Sequence, residues 1–419
     1  MRITKVNTLL ALLKAIFENI PQVLEVEGSI LSPHSIILPE GYKLTGKDDE
    51  SCMISFNNSD GFGVTRDNTI SNLTVMTKHS NRAIYTVSGI QDMGNIVLEN
   101  LHISGQVSII SRQRTNRINL NVNNIHITSC DSRHYSEQPQ KYGVNVYQGA
   151  MTVYNFNSDA NSQIDCNLTN ISIGFKNAPV FGSGIFICGF SDEGGKVNLE
   201  TLSTGAVYSN GMLPYGTADI ITAAVFIVYG VDAKTVEHHG EIVTYGVNDM
   251  VLDTWGKVEK WVSHFPVVSY GPSGIGFVNF GTVKDFVAQD IITYGLGARG
   301  FNQYDGTVEN IKFKSITTYG DGSIGIQVSK PIGTIIVEEN VTTYGSVGNS
   351  LVKGVNMKLA ASAISIKSGG KIESLTVNGD IITNGDDVTS YALEGGEVKE
   401  LNIKGKIIAN GKNSKENTK

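Results

Sequence analysis

A chain of 419 residues is long enough for two or three ordinary domains, but 46 glycines against nine prolines suit many short strands joined by tight turns. A net charge of −7 offers no basic surface to nucleic acid or to an anionic membrane, so neither is expected as a partner. Cys52, Cys130, Cys166 and Cys188 show no C-x-x-C spacing, which leaves no zinc ribbon or redox pair and reads as four small buried residues with free thiols.

In chain order, Arg2 and Lys5 precede the apolar run Leu9-Leu10-Ala11-Leu12-Leu13, as in a signal peptide. Lys14 and Glu18 interrupt that run and no small-residue cleavage site follows, so a cytoplasmic location is expected. Leu9, Leu10, Leu13, Ile16 and Phe17 fall on one helical face, predicting a capping helix over about 7–19 within an N-terminal cap of residues 1–22.

Two strand-like runs follow, Val23-Leu24-Glu25-Val26-Glu27-Gly28 and Ser35-Ile36-Ile37-Leu38-Pro39-Glu40-Gly41-Tyr42-Lys43-Leu44-Thr45-Gly46. This opening resembles that of right-handed parallel β-helix proteins of the pectin-lyase-like type, where a short cap precedes a strand, a leucine-proline-x-glycine corner and a second strand ending in glycine. The resemblance implies that fold for most of the chain and specifies no activity.

A first repeated phrase runs through Ile70 to Val75, Leu98 to Ile103, Val122 to Ile127 and Leu168 to Ile173. Its asparagines, Asn72, Asn100, Asn124 and Asn170, predict a ladder at a strand corner, because Asn tolerates left-handed backbone and its amide both donates and accepts. His102 and His126 hold equivalent places beside it and read as structural neighbours. Insertions at Asp131–Tyr142, Asn155–Ser162 and Ser209–Asp219 are the long loops on which binding function tends to sit.

The second phrase ends in Tyr245-Gly246, Tyr270-Gly271, Tyr294-Gly295, Tyr319-Gly320 and Tyr344-Gly345, with tyrosines 25, 24, 25 and 25 residues apart. A weaker form returns at Asn384-Gly385 after 40 residues and at Asn410-Gly411 after 26. The units hold short alternating runs and no helical stretch, so each is one all-β rung of a solenoid. The fold class is therefore an all-β, single-stranded right-handed parallel β-helix over 23–411 with an N-terminal capping helix, followed by a disordered tail at 412–419. Stacked rungs place the tyrosines about 4.8 Å apart in a ladder, and alternation leaves open whether it faces core or solvent.

Aligning the units on their glycines puts Leu252, Phe277, Phe301 and Ile326 in a core column. Asp253, Val278, Asn302 and Gln327, continued by Asn356, fall in an outer one. The outer face carries unusual residues. Asp249, Asp253 and Trp255 lie on one strand, with Arg299, Asn302, Gln303, Tyr304 and Asp305 two rungs on.

Two rungs amount to about 9–10 Å, near the spacing of an inverting glycosidase pair. Asp253 and Asp305 are thus the candidate catalytic pair, and Asp249, on the same strand face about 13 Å from Asp253 and too far to pair with it directly, is a further candidate carboxylate. Trp255, Arg299, Asn302, Gln303, Tyr304 and Gln327 are the candidate substrate-binding residues. His238, His239 and His264 precede the Tyr-Gly corners, where a general base or a metal ligand is the alternative to the favoured structural reading; no metal and no cofactor is expected. Gly385-Asp386-Asp387 and Asp48-Asp49-Glu50 imitate the paired aspartates of polygalacturonases and a calcium site. The first lacks the accompanying motifs, and the second reads as a solvated turn.

The expected function is a carbohydrate-active enzyme, a glycoside hydrolase or transferase, acting on an oligosaccharide or polysaccharide fragment. A non-catalytic structural or binding solenoid is the alternative, since the late rungs look like the repeats of autotransporter passengers; a sugar epimerase or isomerase is another. Long flat faces also suit a homo-oligomer, such as a trimer.

Overall fold

The computed structural model describes residues 1–352 and 355–417. Apart from one α-helix among the described residues, the chain is all-β with long parallel sheets, an arrangement consistent with a β-solenoid. It divides into two compact units. The first comprises Met1–Glu137, Gln148–Ala206 and Val228–Asp232, and the second Gln138–Tyr147, Val207–Ile227 and Ala233–Lys419. No helix is long and apolar enough to cross a membrane.

In the first unit, the opening strand Ile3–Val6 pairs in parallel with Val23–Val26, so sheet structure begins within the cap expected at residues 1–22, ahead of its helix. The helix itself spans Leu9–Phe17, and Thr8 caps it by accepting a hydrogen bond from the Ala11 N–H at 3.2 Å. Its buried strip is Leu12 and Ala15, while Leu10, Leu13 and Phe17, expected inside, are exposed. Both faces of this short helix are apolar, so periodicity alone selected the wrong one.

The long strands Asp92–Ser104, Arg117–Ser129 and Gln163–Ile173 stack in register, with Leu98, Val122 and Leu168 aligned and Leu101, Ile125 and Ile171 aligned. Between these buried positions Asn100, Asn124 and Asn170 adopt φ of +51°, +55° and +56°, turning each strand through a corner. Asn100 donates to Asn72 at 2.9 Å and Asn124 to Asn100 at 2.8 Å, but Asn170 donates to Asn123 rather than Asn124. His102 and His126 meet edge-on with centroids 6.1 Å apart, and His126 Nε2 lies 2.9 Å from the Gly174 carbonyl. All four cysteines are buried and free.

The second unit stacks Asp249–Thr254, Ile275–Asn279, Arg299–Gln303 and Ile324–Val328 in parallel, then Ile364–Lys367 and Thr389–Glu394. Leu252, Phe277, Phe301 and Ile326 align and are fully buried, as the repeat required. They pack on residues of a second parallel sheet, with Phe277 stacked on Phe286 at 3.9 Å between centroids. The added Cβ of Gly276 or Gly300 would strike Ile291 or Ile316 from that sheet. These glycines therefore allow two successive inward positions, Gly276-Phe277 and Gly300-Phe301, so that the residues on either side share the outer face.

The tyrosine ladder faces solvent. Tyr270, Tyr294, Tyr319 and Tyr344 are 42 to 49% exposed, and successive rings lie 4.9 Å apart within 6° of parallel. The interval of 40 residues after Tyr344 contains an antiparallel hairpin, Val347–Val352 with Val355–Ala360. That hairpin takes Asn356 out of the outer column, where Ser365 instead pairs with Gln327. The tail is ordered further than expected, because Lys415–Asn417 forms a strand beside Thr389–Glu394; Thr418 and Lys419 lie outside the described residues.

Candidate functional site

The outer face of the second unit holds a cavity of about 350 Å³. Its wall is an aromatic column supplied one ring per rung. Trp255 and Phe280 lie 6.2 Å apart and nearly edge-on, and Phe280 and Tyr304 are stacked at 4.9 Å. In the next rung the place of Tyr304 is taken by Ser329, whose N–H bonds to the Gln303 carbonyl, so the aromatic column ends there. Tyr142 closes over the wall, with its ring 4.5 Å from Phe280 and 5.4 Å from Trp255. It stands at φ +56° in the turn between Gln140–Lys141 and Val144–Val146. Val144 and Ala218 also line the cavity, so segments at two of the three insertions contribute to it.

Asp253 lies in the cavity lining with its carboxyl fully buried. Its strand neighbours in the same column are Phe226 on one side and Val278 on the other, so neither flank offers a polar partner. Both carboxyl oxygens lack a hydrogen-bond partner. Burial holds this carboxyl well above the usual carboxylate range, offset only in part by the approach of the Thr254 backbone. Burial thus favours the protonated form of Asp253 over the carboxylate.

Asp305 lines the same cavity under opposite conditions. Its side chain is 46% exposed, and Lys330 Nζ lies 3.9 Å from Oδ1. Strand register explains its placement. Asn302 stands opposite Val278, 24 residues earlier, whereas Thr307 stands opposite Thr282, 25 earlier, so the turn between them holds one extra residue. That turn is Tyr304-Asp305-Gly306, and Gly306 takes φ +61° against the Gly281 carbonyl.

Arg299, aligned between Ile275 and Ile324 in neighbouring rungs, is buried in the lining. Its Nε donates to Gln327 Oε1 at 3.2 Å and Nη1 to the Gly297 carbonyl at 3.3 Å. Burial lowers its pKa to about 10, which still leaves a cation at neutral pH. Asn302 is buried on the same strand with neither amide atom hydrogen-bonded.

Three sequence candidates are tied up by hydrogen bonds within the protein. Asp249 accepts from the N–H groups of Gly211 at 3.1 Å and Gly246 at 2.7 Å, and from the Thr222 hydroxyl. Gln303 donates to the carbonyls of Asp305 and Gly306 and accepts from Asn279, bracing the turn that presents Asp305. Gln327 orients Arg299.

Met250, Phe280, Lys330, Leu351 and Tyr142 also line the cavity and were not among the candidate site residues, while Val278 was placed in the outer column without a role. Phe280 was within reach, since Trp255-Gly256, Phe280-Gly281 and Tyr304-Asp305-Gly306 form a period of aromatic followed by glycine. Tyr142 carried no such signal, because nothing in a loop's sequence states which rung it covers. Compared with protein-family models, curated proteins and solved structures, the chain matches none.

Proposed function

We propose that this chain is a carbohydrate-active enzyme, a glycoside hydrolase or transferase, built on a right-handed single-stranded parallel β-helix of the pectin-lyase-like kind. The observation that carries the reading is the unequal environment of two carboxyls in one aromatic-walled cavity. A buried Asp253 keeps its proton and donates it to the departing glycosidic oxygen. The solvated Asp305, beside Lys330, accepts a proton from the attacking water or sugar hydroxyl as the new bond forms at the anomeric carbon.

Tyr304 ends the aromatic column and provides a flat face for a sugar ring. Arg299, in the cavity lining and held by Gln327 and the Gly297 carbonyl, is the kind of polar group that fixes a ligand's orientation in an otherwise apolar site, and Asn302 lies buried on the same strand outside that lining. The partner is thus an oligosaccharide or a polysaccharide fragment.

The test is a turnover screen of neutral and acidic oligosaccharides with wild type, Asp253→Asn and Asp305→Asn. Wild-type turnover that falls by about 10² or more in each variant is the expected result. Sugar bound in the cavity without turnover by the wild type would replace the enzyme with a binding solenoid. Binding elsewhere, or full activity in both variants, would reject the site.

A further inference from the structure

A different face of the second unit carries Glu237, His239 and His264. Glu237 and His239 are two residues apart across the end of the strand Val231–His238, so they project to the same side while His238 between them turns inward. His264 follows the strand Lys257–Ser263, and its N–H bonds to the His238 carbonyl, which sets it over His239 in the neighbouring rung. The two imidazoles stack with centroids 5.0 Å apart and planes within 13°. One ligand atom from each of the three residues lies within 4.8 Å of the others, and His239 Nε2 is 3.6 Å from Glu237 Oε2.

We propose that Glu237, His239 and His264 form a binding site for a borderline divalent transition ion of the zinc type. Two imidazole nitrogens and one carboxylate oxygen are a donor set suited to such an ion. Tetrahedral bonds of about 2.1 Å place ligand atoms roughly 3.3 Å apart, so closure needs only side-chain rotation about fixed strands. Both histidines are exposed and can make that rotation. Three protein ligands leave a fourth position for water.

Lys260 is the built-in competitor. Its Nζ donates to Glu237 Oε1 at 2.9 Å, and metal binding must displace or share that carboxylate. His238 takes no part, because its Nε2 accepts from the Trp261 indole at 2.9 Å in the core. The charged and titratable groups facing the site are therefore Glu237, His239, His264 and Lys260.

Zinc sulfate titrated calorimetrically into the full chelator-treated chain at about pH 7.5 should show one site per chain. His239→Ala and His264→Ala should each weaken binding by roughly tenfold or more. Lys260→Met should tighten it several-fold by freeing Glu237, an effect that nonspecific surface binding would not show. All three positions are exposed, and retained melting temperatures will verify that the variants fold. Absence of zinc binding by wild type, or a His239→Ala/His264→Ala double variant that binds zinc as wild type does, overturns the site.

Discussion

Trp261 donates its indole N–H to Nε2 of His238 across 2.9 Å, and both side chains are fully buried. The bond requires an unprotonated nitrogen, and burial, aided by the nearby His239 and His264, depresses the His238 pKa from 6.5 to about 3. As pH falls, the unfolded chain takes up this proton before the folded one does. The contribution to stability is therefore whole above 6.5 and declines from there towards about 3. Urea midpoints should drop between about pH 7 and pH 4, and His238→Gln, which keeps an acceptor for the indole, should flatten that slope. Parallel slopes for the two proteins would remove His238 as the cause.

Asp253 gives the opposite sign. Its folded pKa is raised well above 3.8, so its contribution is present below that value and is lost as pH rises towards the folded pKa. An amide of the same shape carries no such penalty. Asp253→Asn should therefore raise the melting temperature at neutral pH while turnover falls, the trade between stability and activity expected of a strained functional group. A variant that is both inactive and less stable would point to a structural role for the carboxyl.

The repeat period makes the rungs, the core column and the outer face legible in the sequence, because stacking forces equivalent residues into line. Period does not report exposure within an outer column, however. Asp253 falls in the outer column and is nonetheless fully buried, since Phe226, Trp255 and the cavity close around it. Asp249, a candidate acid from the sequence, is bonded to the protein's own backbone at a corner. What decided its role was the backbone of Gly211 and Gly246, which composition cannot place.

That brace is testable apart from any activity. Asp249 accepts from two backbone N–H groups and a hydroxyl, and burial, partly offset by those bonds, raises its pKa from 3.8 to about 6. Asp249→Ala strands three buried donors and should lower stability by about 3 kcal/mol or more. Ligand affinity of the protein that remains folded should be unchanged. Loss of affinity with unchanged stability would return Asp249 to the binding site.

Asn100 separates the two physical reasons for an asparagine at the corner. It donates to Asn72, accepts from Asn124, and holds φ at +51°. Asn100→Gly removes both hydrogen bonds but tolerates the backbone, whereas Asn100→Ala removes the same bonds and adds the left-handed penalty of a Cβ, about 1–2 kcal/mol. Denaturant unfolding should therefore rank wild type above glycine and glycine above alanine. Asn100→Asp keeps the acceptor for Asn124 and loses the donor to Asn72, setting a charge against an acceptor, so it should fall below wild type as well. If alanine and glycine unfold at the same urea concentration, the backbone term is absent and the corner is held by side-chain bonds alone.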